Sequence, residues 1–292
     1  MGLLLLLTVF GAAASLKMIP YEKFKYGQTD GEVLGPSDWA DRWPQCNGSR
    51  QSPINIKGAT NQWYGFLTMT FDNWGGLVTG TLQNTRHFPK LNIDTGQGAQ
   101  LRGGPLRGTY TLKQFHFHFG CTNSRGSEHT LNGTRFSGEL HLVFQKTTAP
   151  EDFAVVALWV KAPSPRGNVI LERLANLTRD IIKPDAETTV GTSDGIFIRD
   201  LIPRACLKFF FFSKFIILKC FYYTYKGSLT TPPCSESVTW LIVEPWLVAS
   251  NNTMEKFRRL ESPFGKNPPL MCDNYRPLQP LNNRRVFYVH QF

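Results

Sequence analysis

Two short segments carry the residue types best suited to chemistry. Residues 114–119 read QFHFHF and residues 138–145 read GELHLVFQ, so histidines alternate with large apolar side chains in both. On an extended chain successive side chains point to opposite faces. Gln114, His116 and His118 therefore share one face, with Phe115, Phe117 and Phe119 on the other. The same period groups Glu139, His141 and Val143 opposite Leu140, Leu142 and Phe144. If the two strands are neighbours, three imidazoles converge. Three neutral histidine nitrogens with a fourth position open to water form the donor set of a catalytic zinc site, whereas a structural site is closed by four protein ligands. Gln114 and Glu139 each stand two residues before a candidate ligand on its own face, where a side chain can take the ligand's other N–H and fix its tautomer. A lone His-x-His is more often an ordinary surface or core pair, because ligands need convergent partners. Here three of the six histidines in the chain fall on two such faces, each with a polar neighbour. That combination points to a metal.

The elements that must position these residues are strands. Runs rich in β-branched and aromatic residues predict strands at 67–73, 108–119, 138–146, 153–162 and 237–245. Two helices are predicted. Residues 168–181 place Ile170, Leu174, Leu177 and Ile181 on one face, and Asn252 with Glu255 makes a capping-box-like start to MEKFRRL. No internal repeat, low-complexity linker or composition break divides the chain, and short runs separated by Gly, Pro and Asn recur throughout. The fold class expected is a single, mainly β domain with a few helices.

With 41% hydrophobic and 13% aromatic residues in 292, the chain can bury a core, which excludes the disordered class. The opening MGLLLLLTVF followed by GAAAS reads as a signal peptide over residues 1–15, cut between Ala13 and Lys17, with the mature domain over 16–292. The apolar run is too short to span a bilayer, and no later stretch of about 20 apolar residues exists. The C-terminus lacks the tail of a lipid-anchor signal. A secreted protein without a stable membrane anchor is expected. Four glycosylation tripeptides, at Asn47, Asn132, Asn176 and Asn251, agree with that route. Six cysteines in an oxidising compartment suggest disulfides, and spacing alone does not choose among their pairings. The formal charge of +10 comes from scattered Lys and Arg, densest in KFRR at 256–259. With a secretory route this reads as a solvated basic surface, and nucleic acid is excluded as a partner.

The segments FHFHFG, GSEHT (126–130), ELHLVF (139–144), YKGSLTTPPC (225–234) and QSPINI (51–56) together resemble the alpha carbonic anhydrases of the secreted type. The resemblance runs from about Tyr26 to about Phe287. It implies one domain around a large twisted, mostly antiparallel sheet, with zinc at the foot of a conical cleft. It implies reversible hydration of carbon dioxide to bicarbonate and a proton, with His116, His118 and His141 as zinc ligands. Thr230 would orient the nucleophile and Glu128 would hold Thr230. A hydroxyl that donates to Glu128 has only lone pairs left for the nucleophile, which is thereby aimed. Val143, Val155, Leu229 and Trp240 would line the carbon dioxide pocket, although periodicity alone makes them core. Thr231 would contact bicarbonate, and Tyr26 and Tyr225 would support the site. His87, in LQNTRHF, matches the proton-shuttle position, with Arg86 and Lys90 expected to favour its neutral form. The secreted members' bridge falls on Cys46 and Cys234.

Departures from the family pattern are Phe119 in place of Trp, Arg86 in place of Gly, and the additional Cys121 and Cys272. Residues 206–220, CLKFFFFSKFIILKC, form an atypical apolar insertion. It reads as a hairpin clipped by Cys206 and Cys220, as a loop touching a membrane, or as translated non-coding sequence. The absence of a turn signal favours the last. If the insertion disrupts the site, the alternative function is a catalytically weak carbonic-anhydrase-like binding module. A different zinc hydrolase on an unrelated β fold is disfavoured by GSEHT and GSLTTPP.

Overall fold

The computed structural model describes residues 24–71, 76–203, 206–209, 215–218 and 221–290. The expected signal segment, residues 1–15, lies outside them, as does Cys220. Fourteen strands among the described residues form one sheet. Its centre is built from Tyr110–Phe119, Gly138–Lys146, Ala149–Lys161, Val238–Val248 and Tyr222–Gly227, in that spatial order. All these neighbours pair antiparallel except Ala149–Lys161 with Val238–Val248, which run parallel. The central strands are buried on both faces, which is why apolar side chains fill nearly every position of Ala154–Val160.

The two faces carry different cargo. On one, Phe115, Phe117, Phe119, Leu140, Leu142 and Phe144 join the main core, packed with Ile170, Leu171 and Leu174 of the helix Val169–Leu177 and Met254 and Phe257 of the helix Asn251–Arg258. Burying each of these phenylalanines and leucines contributes about 1.5–3 kcal/mol. On the other, Val143, Val155, Trp159 and Trp240 form a second cluster with Ile54 and Ile56. The helices thus cover one face and leave the other to the histidines.

A bulge decides which face the histidines take. Leu112 pairs with Phe144 and Gln114 with Val143, so Lys113 is an extra residue on its strand. Upstream of it the even-numbered Tyr110 and Leu112 enter the main core, and downstream the odd-numbered Phe115, Phe117 and Phe119 do. An unbroken alternation over 108–119 would have put Tyr110 and Leu112 beside the histidines.

The helix Val169–Leu177 begins at Asn168, whose side chain accepts from the amides of Ile170 and Leu171 at 2.9 and 3.1 Å. The second helix differs from the reading above. It is capped by Ser250, whose Oγ accepts from the Thr253 amide at 3.1 Å. Asn252 lies inside the helix, and Glu255 instead pairs with Arg258 at 2.9 Å. The strand expected to end at Pro245 runs on to Val248, through an irregular register between Val243 and Leu247 that accommodates the missing proline N–H.

Two strands are described within the expected insertion at 206–220. Leu207–Phe209 and Phe215–Leu218 pair antiparallel, and the second of them adds to Leu67–Phe71 at the end of the sheet. Leu67–Phe71 and Ala99–Gly103 stand between this pair and Tyr110–Phe119.

Candidate metal centre

The register puts His116 directly opposite His141 and His118 opposite Glu139. One ring nitrogen from each of the three histidines lies within 4.8 Å of the others, and the residues are only 9%, 0% and 1% exposed. The other nitrogen of each ring meets an acceptor. His116 Nδ1 faces Gln114 Oε1 at 2.9 Å, His118 Nδ1 the Asn274 carbonyl at 2.6 Å, and His141 Nε2 faces Glu139 Oε1 at 2.7 Å. Each acceptor requires a hydrogen on the nitrogen it meets. The lone pairs are therefore left on His116 Nε2, His118 Nε2 and His141 Nδ1, which converge. Burial lowers the pKa of His116 well below the usual imidazole value, with His118, His141 and Lys90 adding to the effect, and burial also lowers that of His118. Neutral imidazole is the form that binds a metal. His118 Nε2 is buried without a hydrogen-bond partner, an arrangement that a metal cation would relieve. Three neutral nitrogens with fixed tautomers fit zinc.

Behind the ligands runs a buried chain of hydrogen bonds. Glu139 Oε1 also meets His129 Nδ1 at 2.7 Å, and Oε2 accepts from the His129 amide at 2.8 Å. Burial alone would raise the pKa of Glu139, but His129 and His141 outweigh it and hold the carboxyl well below its usual range. With Nδ1 donating, His129 Nε2 accepts from Tyr225 OH at 2.7 Å, which leaves that hydroxyl to accept from Ser52 Oγ at 2.7 Å. His129, Glu139 and His141 also group their ligand atoms closely, but these contacts already satisfy them.

Glu128 is fully buried, and its Oε1 accepts from the Arg276 amide at 2.9 Å. The hydrogen bond from Thr230 to Glu128 that the resemblance implies is not formed in this structure. Glu128 Oε2 has no hydrogen-bond partner and points toward the ligands, 3.6 Å from His118 Nε2 and 4.0 Å from His141 Nδ1. In the tautomers above those two nitrogens carry lone pairs, so neither donates a hydrogen to the carboxylate.

Two residues along from the His116–His141 pair, on the same face, Gln114, Val143, Val155, Trp240 and Tyr225 form a cross-strand row. Val143, Val155 and Trp240 are buried, and Leu229 packs against them. The Trp240 ring lies edge-on to His141 at 4.9 Å, fixed by its Nε1 donating to the Ser228 carbonyl at 3.1 Å. An apolar wall therefore adjoins the ligands. Thr230 and Thr231 follow Leu229 in a turn tied at Cys234 to Cys46 by a buried disulfide.

His87 sits apart from this wall. Its ring is stacked between Phe24, at 3.8 Å, and Phe264, at 5.1 Å, and its Nδ1 is buried without a partner. Burial, helped by Arg86 and opposed by Asp185, pulls its pKa down to about 3. Arg86 takes a left-handed φ of 74° that favours glycine, and pairs with Asp185 at 2.8 Å. Tyr26 lies edge-on to both His87 and His118. A cavity of about 800 Å³ reaches His87 and Tyr26, and none of the three ligand histidines lines it.

Asn274, His129 and Ser52 were not assigned roles from the sequence. GSEHT carried a signal for His129. Nothing near His118 in the chain announces Asn274, which stands 156 residues away.

The family model described as eukaryotic-type carbonic anhydrase matches residues 34–290. A protein of Acropora millepora named "Putative carbonic anhydrase" is 67% identical over 122 residues, covering 42% of this chain and 80% of that protein.

Proposed function

The chain belongs to the eukaryotic-type carbonic anhydrase family, and from that premise we propose that it is a secreted zinc enzyme hydrating carbon dioxide reversibly to bicarbonate. The observation that carries this reading is the set of three converging lone pairs, on His116 Nε2, His118 Nε2 and His141 Nδ1. Those atoms would hold the metal, while Gln114, Asn274 and Glu139 keep the rings in the tautomers that could bind it. Bound zinc supplies a water acidic enough to lose its proton near neutral pH, the behaviour for which carbonic anhydrase is itself the standard example. Carbon dioxide carries no charge or dipole, so Val143, Val155, Leu229 and Trp240 can hold it without losing a hydrogen bond. Thr230 and Glu128 orient the nucleophile once the Thr230 hydroxyl turns to Glu128 Oε2, and Thr231 contacts bicarbonate. His87 takes the proton outward after its ring leaves the stack of Phe24 and Phe264. Secretion is supported by the disulfides Cys46–Cys234 and Cys121–Cys272 among the described residues and by exposure of Asn47, Asn132, Asn176 and Asn251.

The test is metal analysis and stopped-flow hydration on purified protein. Stoichiometric zinc and hydration that disappears with chelation are expected. Glu128→Gln and Thr230→Ala should keep zinc and lose at least about tenfold in rate, since they aim the nucleophile without touching metal. The second reading, a weakly catalytic binding module, is favoured by the absent Thr230–Glu128 bond. Full zinc loading without hydration would establish it over the enzyme.

A further inference from the structure

Residues 272–274 are attached to the ligand strand and to the segment that follows it, Cys121–Arg125. The Asn274 carbonyl accepts from His118 Nδ1, and Asn274 Oδ1 accepts from the Phe119 amide at 2.7 Å. Asp273 Oδ1 accepts from the Cys121 amide at 3.0 Å, and its carboxylate holds Arg125 through bonds of 2.8 and 2.9 Å. Cys272 is bonded to Cys121. Asp273, immediately before Asn274, has a left-handed φ of 52°, which an aspartate keeps only while its surroundings impose it. Where the Asn274 carbonyl lies therefore depends on how firmly the turn at 272–273 is held.

We infer that the Cys121–Cys272 disulfide is a positioning clamp for the zinc ligand His118. It presses the Asn274 carbonyl against Nδ1 and so keeps Nε2 aimed at the metal. The inference rests on the zinc reading of the three histidines. Without the bridge, residues 272–273 would be held by the exposed Cys121 amide–Asp273 bond and by an Arg125–Asp273 pair whose side chains are 44% and 35% exposed, while Asn274 keeps buried bonds to His118, Phe119 and Phe117. Such surface pairs contribute little. The buried Cys46–Cys234 bridge anchors the Thr230 turn instead, which makes it an internal control. The clamp is also accessible, since Cys121 is exposed, Cys272 is half-buried, and both line the cavity beside His87.

The experiment compares zinc-loaded wild type with Cys121→Ser/Cys272→Ser. Zinc release to a chromophoric chelator should be about tenfold faster in the variant, the lower end for loss of a group that orients a ligand. The visible bands of the cobalt(II)-substituted protein should shift, with Cys46–Cys234 intact by peptide mapping. Unchanged release and an unchanged cobalt spectrum, even with a lower melting temperature, would make the bridge a staple on the fold and overturn the clamp. If the double variant does not fold, mild reduction of the accessible Cys121–Cys272 bridge in folded, zinc-loaded wild type, with Cys46–Cys234 intact by peptide mapping, provides the same readouts, with recovery of slow release expected on reoxidation. Wild-type release from the selectively reduced protein would likewise overturn it. Wild-type protein that binds no zinc would remove the zinc reading itself, whereas zinc binding with unchanged release removes only the clamp.

Discussion

At the scale of single residues, the centre divides its histidines by what meets their second nitrogen. His118 has its Nδ1 on a backbone carbonyl and its Nε2 buried without a partner, so no other group can replace its ring. His118→Ala should lower zinc affinity and hydration together, as read by chelator competition and stopped flow. Stoichiometric zinc with full activity would refute the ligand assignment. His87 is the opposite case. With a native pKa of about 3 against about 6.5 in the unfolded chain, the unfolded state binds the extra proton between those values. Its contribution to stability is thus whole above pH 6.5 and is lost as pH falls toward 3. Its ring resonance should not titrate between pH 5 and 8. Phe264→Ala opens one side of the stack, so the pKa should rise toward the ordinary value, and the maximal hydration rate in dilute buffer should rise with kcat/KM unchanged. A resonance already titrating near 6.5 in the wild type would contradict the stack.

At the scale of elements, the count of residues in one strand matters more than their identity. Lys113 is exposed and contributes only its place in the bulge. Lys113→Ala should leave zinc affinity and stability within about 0.5 kcal/mol of wild type. Deleting Lys113 forces one half of the strand to turn over. Turning the downstream half would expose three phenylalanines and bury the imidazoles of His116 and His118 in the apolar core, so the upstream half gives way instead and brings Tyr110 and Leu112 out of the core. That costs about 3–6 kcal/mol for two large side chains, much of a typical domain's stability. Denaturant unfolding would read it, and a deletion as stable as wild type would refute the bulge. The same element shows how much was legible in advance. Alternation in QFHFHF and GELHLVFQ was enough to group the ligands with Gln114 and Glu139, because period two holds along each segment. The bulge was not legible, since it is set by pairing with Phe144 and Val143 on another strand. Asn274 was hidden for a related reason, its contact being a backbone carbonyl that any residue could offer. The cap at Ser250 was missed by two positions, because Asn252 with Glu255 fits the same local pattern.

At the scale of the whole molecule, the paired strands Leu207–Phe209 and Phe215–Leu218 of the insertion lie at the end of the sheet, with two strands between them and the ligand strand. Deleting 206–220 should leave zinc stoichiometry and hydration within about twofold of the full chain, because the edit touches no group that binds or orients the metal. Loss of zinc would mean that the insertion supports the centre through the following strand, Tyr222–Gly227. The insertion also moves the sheet's terminal position from Leu67–Phe71 to Leu207–Phe209, whose pairing groups on one side have no neighbour among the described strands. Such an edge is a template for another copy. Against it stands the mutual repulsion of molecules that each carry a formal charge of +10. Salt weakens that repulsion, with a screening length of about 10 Å at 0.1 M and about 3 Å at 1 M, and leaves backbone pairing largely untouched. The protein's colloidal behaviour should thus run opposite to salting-in: light scattering should grow with ionic strength in the full chain.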